Sequence, residues 1–195
     1  MMEIVRMIVV LSAITGLAGF VLSGLKVWTS PIIEEQVLTY VQKPAIQQVF
    51  FDAANDPIAD RKKFAKPGGG PNEELLVFPV MKNGKLQAIA MEGAGKGYGG
   101  DVNVIVGIDT TTDKVVGISI TTHKETPGIG SRVAEPSFTK QFKGRILEKA
   151  KLKKEGGDID AISGATYSSI GATEAVKQVA GWYATLKDSI KTTWQ

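Results

Sequence analysis

Residues Met7 to Leu25 contain no charged side chain, and Arg6 and Lys26 bracket them. A helix rises about 1.5 Å per residue, so about 20 such residues cross a bilayer core of about 30 Å. Trp28 follows where an interfacial aromatic belt residue sits. A cleaved signal peptide is the competing reading. Its apolar region is shorter, about 7–15 residues, and ends in small residues. The Ala18-Gly19 and Ser23-Gly24 pairs keep that reading open. Length and flanks favour an uncleaved anchor over residues 1–28, leaving 29–195 for one folded domain. Arg6 beside the amino terminus favours the cytoplasm, which puts the main domain outside the cell membrane.

The domain has no cysteine and one histidine, His123. That excludes thiolate iron–sulfur ligation, disulfides and thiol catalysis by this chain alone. A zinc site, which draws on several Cys or His ligands, is not expected, and no metal is assigned. Redox chemistry would need an added organic cofactor. A net charge of +3 is too small to argue for nucleic acid, and no helix-turn-helix, zinc-finger or ribonucleoprotein pattern is present.

Ser30-Pro31 reads as a helix start, with Ser as N-cap and Pro at the first helical position. Apolar spacing from Ile32 to Val41 carries that helix to about Gln48. Residues Asp52 to Asn72 are polar and rich in Pro and Gly, which reads as a loop. Leu75–Met81 and Lys85–Met91 are β-like runs joined at Asn83-Gly84, a strong hairpin signal because both turn residues take positive φ. Val102–Ile108 and Lys114–Thr121 form a second pair around Asp109–Asp113. Short helices are expected over Pro136–Phe142 and Ile146–Lys149. A long helix runs from near Ser168 to about Ile190, with Val176, Val179, Ala180, Tyr183 and Leu186 as its apolar stripe. The fold class is α+β: an anchor helix, then a small antiparallel sheet with flanking helices.

Three segments carry chemical information. In Asp160-Ala161-Ile162-Ser163-Gly164-Ala165-Thr166-Tyr167-Ser168-Ser169, an apolar run ends in Ser-Gly and small residues lead into a helix. Small side chains admit a bulky group, and free N–H groups at a helix start attract phosphate. A glycine turn with Ser/Thr capping accounts for the same residues. In Thr122-His123-Lys124-Glu125-Thr126-Pro127-Gly128-Ile129-Gly130, which follows a predicted strand, Pro and two glycines make a stiff, bare turn whose backbone can lie against a planar ring. Alone, it would read as an ordinary polar turn. Gly95-Lys96-Gly97-Tyr98-Gly99-Gly100 fits G-x-G-x-x-G by letter. A dinucleotide fingerprint opens a helix, whereas a β-like run follows here, so a Rossmann reading is rejected.

The run Asp160-x-x-Ser163-Gly164-Ala165-Thr166 resembles the flavinylation signature of the FMN-binding subunits of Rnf and Na⁺-translocating NADH:quinone oxidoreductase complexes. The Glu125–Gly130 loop resembles the same family's Glu-Thr-Pro-Gly-x-Gly segment, and both stand in family order. The resemblance implies that Thr166 carries FMN through a phosphoester bond made by a flavin transferase, which takes FMN from FAD. It implies recognition or phosphate-cradling roles for Asp160, Ser163, Gly164 and Ala165. It also implies isoalloxazine contact for the Glu125–Gly130 loop, and makes Tyr167, Tyr98 and Gly99 contact candidates, although a purely structural turn explains Tyr98-Gly99 equally. Tyr167 departs from the aliphatic residue common at its position. Gly171-Ala172-Thr173 repeats the triplet but lacks the upstream serine and aspartate, so Thr173 is expected to be structural.

The resemblance further implies an electron relay inside a complex that moves electrons between ferredoxin and NAD and translocates Na⁺ or H⁺. The compact length favours the G subunit of the Rnf complex, with the C subunit of the quinone-reducing sodium pump as the alternative. The expected partners are the other subunits, the flavin transferase and membrane lipid. A different class remains: an anchored extracytoplasmic binding or scaffold module without flavin. The basic stretch Lys149–Lys154 is a solvated face, or a meeting point for anionic lipid or an acidic partner. A hydrolase reading on Ser163 or Ser168 lacks Gly-x-Ser-x-Gly.

Overall fold

A computed structural model describes residues 2–51, 53–71 and 73–194. The chain separates into compact units over residues 1–40 and 41–195. The boundary expected at residues 28 and 29 therefore falls inside helix α1, Met2–Val37.

In the first unit α1 buries none of its residues and is long and apolar enough to cross a membrane. The predicted helix start at Ser30-Pro31 is corrected here, because both residues lie in the interior of α1. The Ser30 hydroxyl donates backwards to Lys26 O at 2.7 Å instead of capping forwards, a back-bond that competes with N-cap duty. Thr29 does the same to Leu25 O at 2.8 Å. A π-helical turn, Leu38–Gln42, follows.

The second unit begins with α2, Lys43–Val49. Five strands come next: β1 Lys62–Ala65, β2 Glu74–Lys82, β3 Lys85–Lys96, β4 Asp101–Asp109 and β5 Val115–Thr122. They form one antiparallel meander in the order β1-β2-β3-β4-β5. Both predicted hairpins are present, and Asn83 (φ 52°) and Gly84 (φ 74°) supply the left-handed turn of the first.

Strand β1 lies within the segment read as a loop, whose end residues Asp52 and Asn72 fall outside the described residues. β1 is a four-residue edge strand that pairs Phe64 with Leu75. Of its four residues only Phe64 is not exposed, so alternation is too weak to signal it.

Short 3₁₀ turns and α3, Pro136–Thr139, connect β5 to α4, Thr166–Thr193. Phe138 and Phe142 of this connection are fully buried, which explains why its helical pattern was readable. Helix α4 covers one sheet face, and Val77, Met91, Val102, Val104 and Val106 pack with Ala172, Ala175, Val176 and Val179. Strand alternation turns Phe78, Ala90 and Ile105 to the opposite face, where α2 packs; a Cβ at Gly107 would stand 2.5 Å from Val49 Cγ1.

β3 runs five residues past its predicted end at Met91, through Gly93 and Gly95. A Cβ at Gly93 would lie 2.5 Å from Ala175 O, and one at Gly95 2.0 Å from Gly171 O. These glycines are strand residues that let the α4 backbone settle directly on β3.

Candidate functional site

Thr166 opens α4, and the N-cap before it is Ala165, which makes no side-chain cap. The first amides of a helix lack intrahelical partners and carry partial positive charge. Ser, Thr, Asp or Asn normally satisfies one of them. Here Thr166 and Tyr167 are exposed at a helix start left open to an external anion. Gly164 takes a left-handed φ of 80°, making the tight entry that an L side chain would strain. Ser163 and Gly164 are exposed and Ala165 is buried. Buried Ser169 laces the entry together: its Oγ accepts from Ile162 N at 3.0 Å and donates to Ala165 O at 2.9 Å.

Asp160 sits at the upstream end of this segment. Its carboxylate pairs with Lys153 Nζ at 2.7 Å. Its main chain is held at both ends by one side chain: Asp160 N donates to Gln141 Oε1 at 2.8 Å, and Gln141 Nε2 donates to Asp160 O at 3.3 Å.

The three segments singled out in the sequence meet at Glu125, which is 5 % exposed. Ser168 Oγ donates to Glu125 Oε2, and Gly99 N donates to Glu125 Oε1 at 2.9 Å. Glu125 N donates to His123 Nδ1 at 3.2 Å, which gives the single histidine a local backbone partner. Burial pushes the Glu125 carboxyl up, but hydrogen bonds from Ser168, Gly99 and Tyr98, with His123 nearby, outweigh it and hold the group below its usual range. Gly130 is buried against this pair, since a Cβ there would stand 2.6 Å from Ser168 Oγ and 2.7 Å from Glu125 Oε2. Glu125 and Gly130 thus form the inner brace of the corner.

The rest of the loop faces outwards. Thr126, Pro127, Gly128 and Ile129 are exposed. The turn bonds to itself through Ile129 N to Thr126 O at 3.2 Å and Gly128 N to Ser131 Oγ at 2.9 Å. Gly97 N donates to Gly100 O at 2.8 Å, so the Gly97–Gly100 segment is the β3–β4 hairpin. Exposed Tyr98 and Gly99 sit at its tip. Tyr98 at 77 %, Tyr167 at 66 % and Ile129 at 51 % are large apolar side chains left in solvent. Each stands one residue from a member of the Gly99–Glu125–Ser168–Gly130 brace.

Thr173 is set apart. It is 2 % exposed, and its Oγ1 donates to Ser169 O and Ile170 O at 3.1 and 3.0 Å. Gly171 of the same triplet faces the hairpin, with a Cβ there only 2.8 Å from Gly97 N. What sequence reasoning missed is the role of Ser168, which lies in the first segment, as the brace partner of Glu125. The available signal was Glu125, the one acid of this glycine-rich segment.

The model for the FMN-binding domain matches residues 97–181, a span that contains the Glu125 and Thr166 segments and the Gly97–Gly100 turn of the third. The G subunit of the proton-translocating ferredoxin:NAD(+) oxidoreductase complex of Clostridium ljungdahlii is 32 % identical over 146 residues, covering 71 % of this chain and 76 % of that protein. This chain belongs to the family of G subunits of ion-translocating oxidoreductase complexes. The G subunit of the Vibrio parahaemolyticus complex is 29 % identical over 181 residues, 86 % of this chain and 85 % of its own length. Against the G subunit of the Shewanella baltica complex the match is 36 % over 122 residues, and the chain spans 57 % of that relative. The crystal structure of Shewanella oneidensis NqrC superposes with a TM-score of 0.52 at 25 % identity, covering 80 % of this chain and 76 % of that one. Membership of this family and the FMN-binding match agree with the expected α+β fold and flavoprotein class.

Proposed function

We propose that this chain is the flavin-bearing electron-transfer subunit of a membrane ion-translocating oxidoreductase, with FMN joined through its phosphate to Thr166 Oγ. The observation that carries the reading is the place of Thr166: exposed, first in a 28-residue helix, with no side-chain cap before it. An attached phosphate would take up the free N-terminal amides of α4 and the positive end of its dipole. The residues present fit the group. Gly164 opens the entry, while Tyr98, Tyr167, Ile129 and the Thr126–Gly128 turn offer exposed apolar and backbone surface for a planar ring. Glu125 and Gly130 serve from beneath, holding the hairpin tip, the loop and the first turn of α4 in one arrangement.

When bound, FMN supplies one- or two-electron redox chemistry. For attachment, Thr166 Oγ attacks the flavin-side phosphorus of FAD, the phosphoanhydride bond breaks and AMP leaves. The hydroxyl proton passes to a base on the flavin transferase. Asp160, Ser163, Gly164 and Ala165 present the threonine to that enzyme. The apolar part of α1 anchors the folded domain at the membrane, on its extracytoplasmic side, beside lipid and the other subunits. The chain is one relay between ferredoxin and NAD and neither binds NAD nor moves ions alone. The likeness to NqrC supports a second reading, the C subunit of a Na⁺-translocating NADH:quinone oxidoreductase, which copurification of partner subunits distinguishes.

Coexpression with a flavin transferase, followed by a denaturing gel viewed unstained under ultraviolet light, tests the site. Fluorescent bands are expected from wild type and Thr173→Val, and a dark one from Thr166→Val. A fluorescent Thr166→Val band would move the attachment elsewhere. A dark wild-type band, with the transferase active on another substrate, would return the scaffold-module reading.

A further inference from the structure

Residues 140–155 hold seven cations against two carboxylates, Glu148 and Glu155. Arg145 pairs with Asp158 at 3.2 Å and Lys153 with Asp160 at 2.7 Å. The other five, Lys140, Lys143, Lys149, Lys151 and Lys154, make no ion pair among the described residues. All but half-buried Lys151 are exposed.

Lys149, Lys151, Lys153 and Lys154 sit on a tied knot of chain, and Gln141, next to Lys140, is bonded to its end at Asp160. Asp158 N donates to Lys149 O at 3.0 Å, Ile159 N to Lys151 O at 3.0 Å and Lys153 N to Ile159 O at 2.9 Å. Gly157 seats the crossing, because a Cβ there would lie 2.0 Å from Lys151 O. Leu152 and Ile159 bury beneath it. The knot ends at Asp160, gripped by Gln141 through its main chain and by Lys153 through its carboxylate. The basic surface is therefore tied, through Asp160, to the start of the segment that presents Thr166.

We infer that this surface is the docking face for an acidic patch on the flavin transferase. The inference rests on the reading of Thr166 given above. A protein that modifies Thr166 must grasp residues 160–166, and a partner approaching from the Asp160 end meets the Lys153–Asp160 pair and the unpaired lysines first. Same-sign charge of this density steers encounter with a complementary partner and raises its on-rate. A lipid-binding face pairs its cations with several exposed large apolar side chains. Between residues 140 and 160, Ile146 is the single one among the described residues.

The test is the initial rate of flavinylation of the full chain by purified transferase and FAD. It is followed from about 0.01 M to about 0.15 M salt, where the screening length falls from about 30 to about 8 Å. Wild type should slow with salt. The triple variant Lys140→Glu/Lys143→Glu/Lys149→Glu should lose roughly tenfold or more in kcat/KM at low salt, mainly through KM, and lose the salt dependence. The matching Lys→Arg triple should keep the wild-type rate. Equal rates for wild type and the Glu triple would overturn the inference. If that equality came with slower electron exchange with copurified subunits, or lost binding to phosphatidylserine vesicles, the face would belong to a redox partner or to lipid instead. A wild type that takes no flavin from an active transferase would defeat the Thr166 reading itself.

Discussion

The Ser168 hydroxyl donates to Glu125 Oε2 across 43 residues of sequence, and this one bond joins the first turn of α4 to the glycine loop after β5. Glu125→Gln keeps the shape but replaces a charge-assisted acceptor with a neutral amide that has two donors to place. A loss of about 1–3 kcal/mol in urea unfolding is expected, with Ser168→Ala losing less. Both variants should take up flavin more slowly, because Thr166 loses its fixed setting. A Glu125→Gln protein with wild-type stability and wild-type flavin yield would remove the brace from the account.

The same carboxylate sets a pH dependence. Its folded value lies below the ordinary 4.5, so the stability it adds is complete above pH 4.5 and drains away as pH falls through the depressed folded value. The stability gap between wild type and Glu125→Gln should therefore be constant from neutral pH to about 5 and narrow below that. Urea midpoints measured across that range decide the matter; a gap that widens on acidification contradicts the assignment.

Two glycines give opposite expectations for the same substitution. At Gly130 a Cβ would press on Ser168 Oγ and Glu125 Oε2 at 2.6 and 2.7 Å, so Gly130→Ala should destabilise by about 1–3 kcal/mol. At Gly181, inside α4 and exposed, nothing lies within 4 Å of the added carbon. Gly181→Ala should stabilise by about 0.5–1 kcal/mol through helix propensity. Thermal melts of the pair should move in opposite directions.

Far from the site, Asp113 accepts from Lys187 Nζ at 2.5 Å and from Tyr183 OH at 2.8 Å. Lys187 chiefly holds the Asp113 carboxyl below its usual range. Burial first, and then Asp113, push the Tyr183 phenol up. Asp113 has a left-handed φ of 55°, which asparagine tolerates. Asp113→Asn should cost no more than about 1 kcal/mol, as for an exposed pair. It should also lower the pH at which Tyr183 ionises, followed by the phenolate absorbance. An unchanged titration would show that Asp113 does not act on the phenol.

Much of this architecture was legible in the residues. The Asn83-Gly84 turn announced its hairpin because only a few residue types accept positive φ, and Val102, Val104 and Val106 of β4 announced a buried face. The Gly95–Gly100 letters were read against Rossmann binding because a strand followed, and β4 does follow. Strand β1 was illegible because it is a short edge piece with one half-buried residue among exposed ones. The Ser30-Pro31 pair misled because a serine hydroxyl can bond backwards as readily as forwards, and only the surrounding helix decides. The Glu125–Ser168 bond was invisible because neither residue is apolar or periodic; folding alone brings them together.

At Gly93, Gly95 and Gly171 the backbones of β3 and α4 meet directly, leaving no room for a Cβ. Side-chain contacts can absorb a slip by changing rotamers, but the backbone contacts at these three glycines have none to change, so they fix the angular phase of the helix. An α-helix turns about 100° per residue. One residue inserted between Thr166 and Gly171 would leave the seat intact and swing the threonine about a quarter of the way around the helix axis. On the proposed attachment at Thr166, the address of the flavin is written in the count of residues from the glycine seat as much as in the chemistry of the threonine.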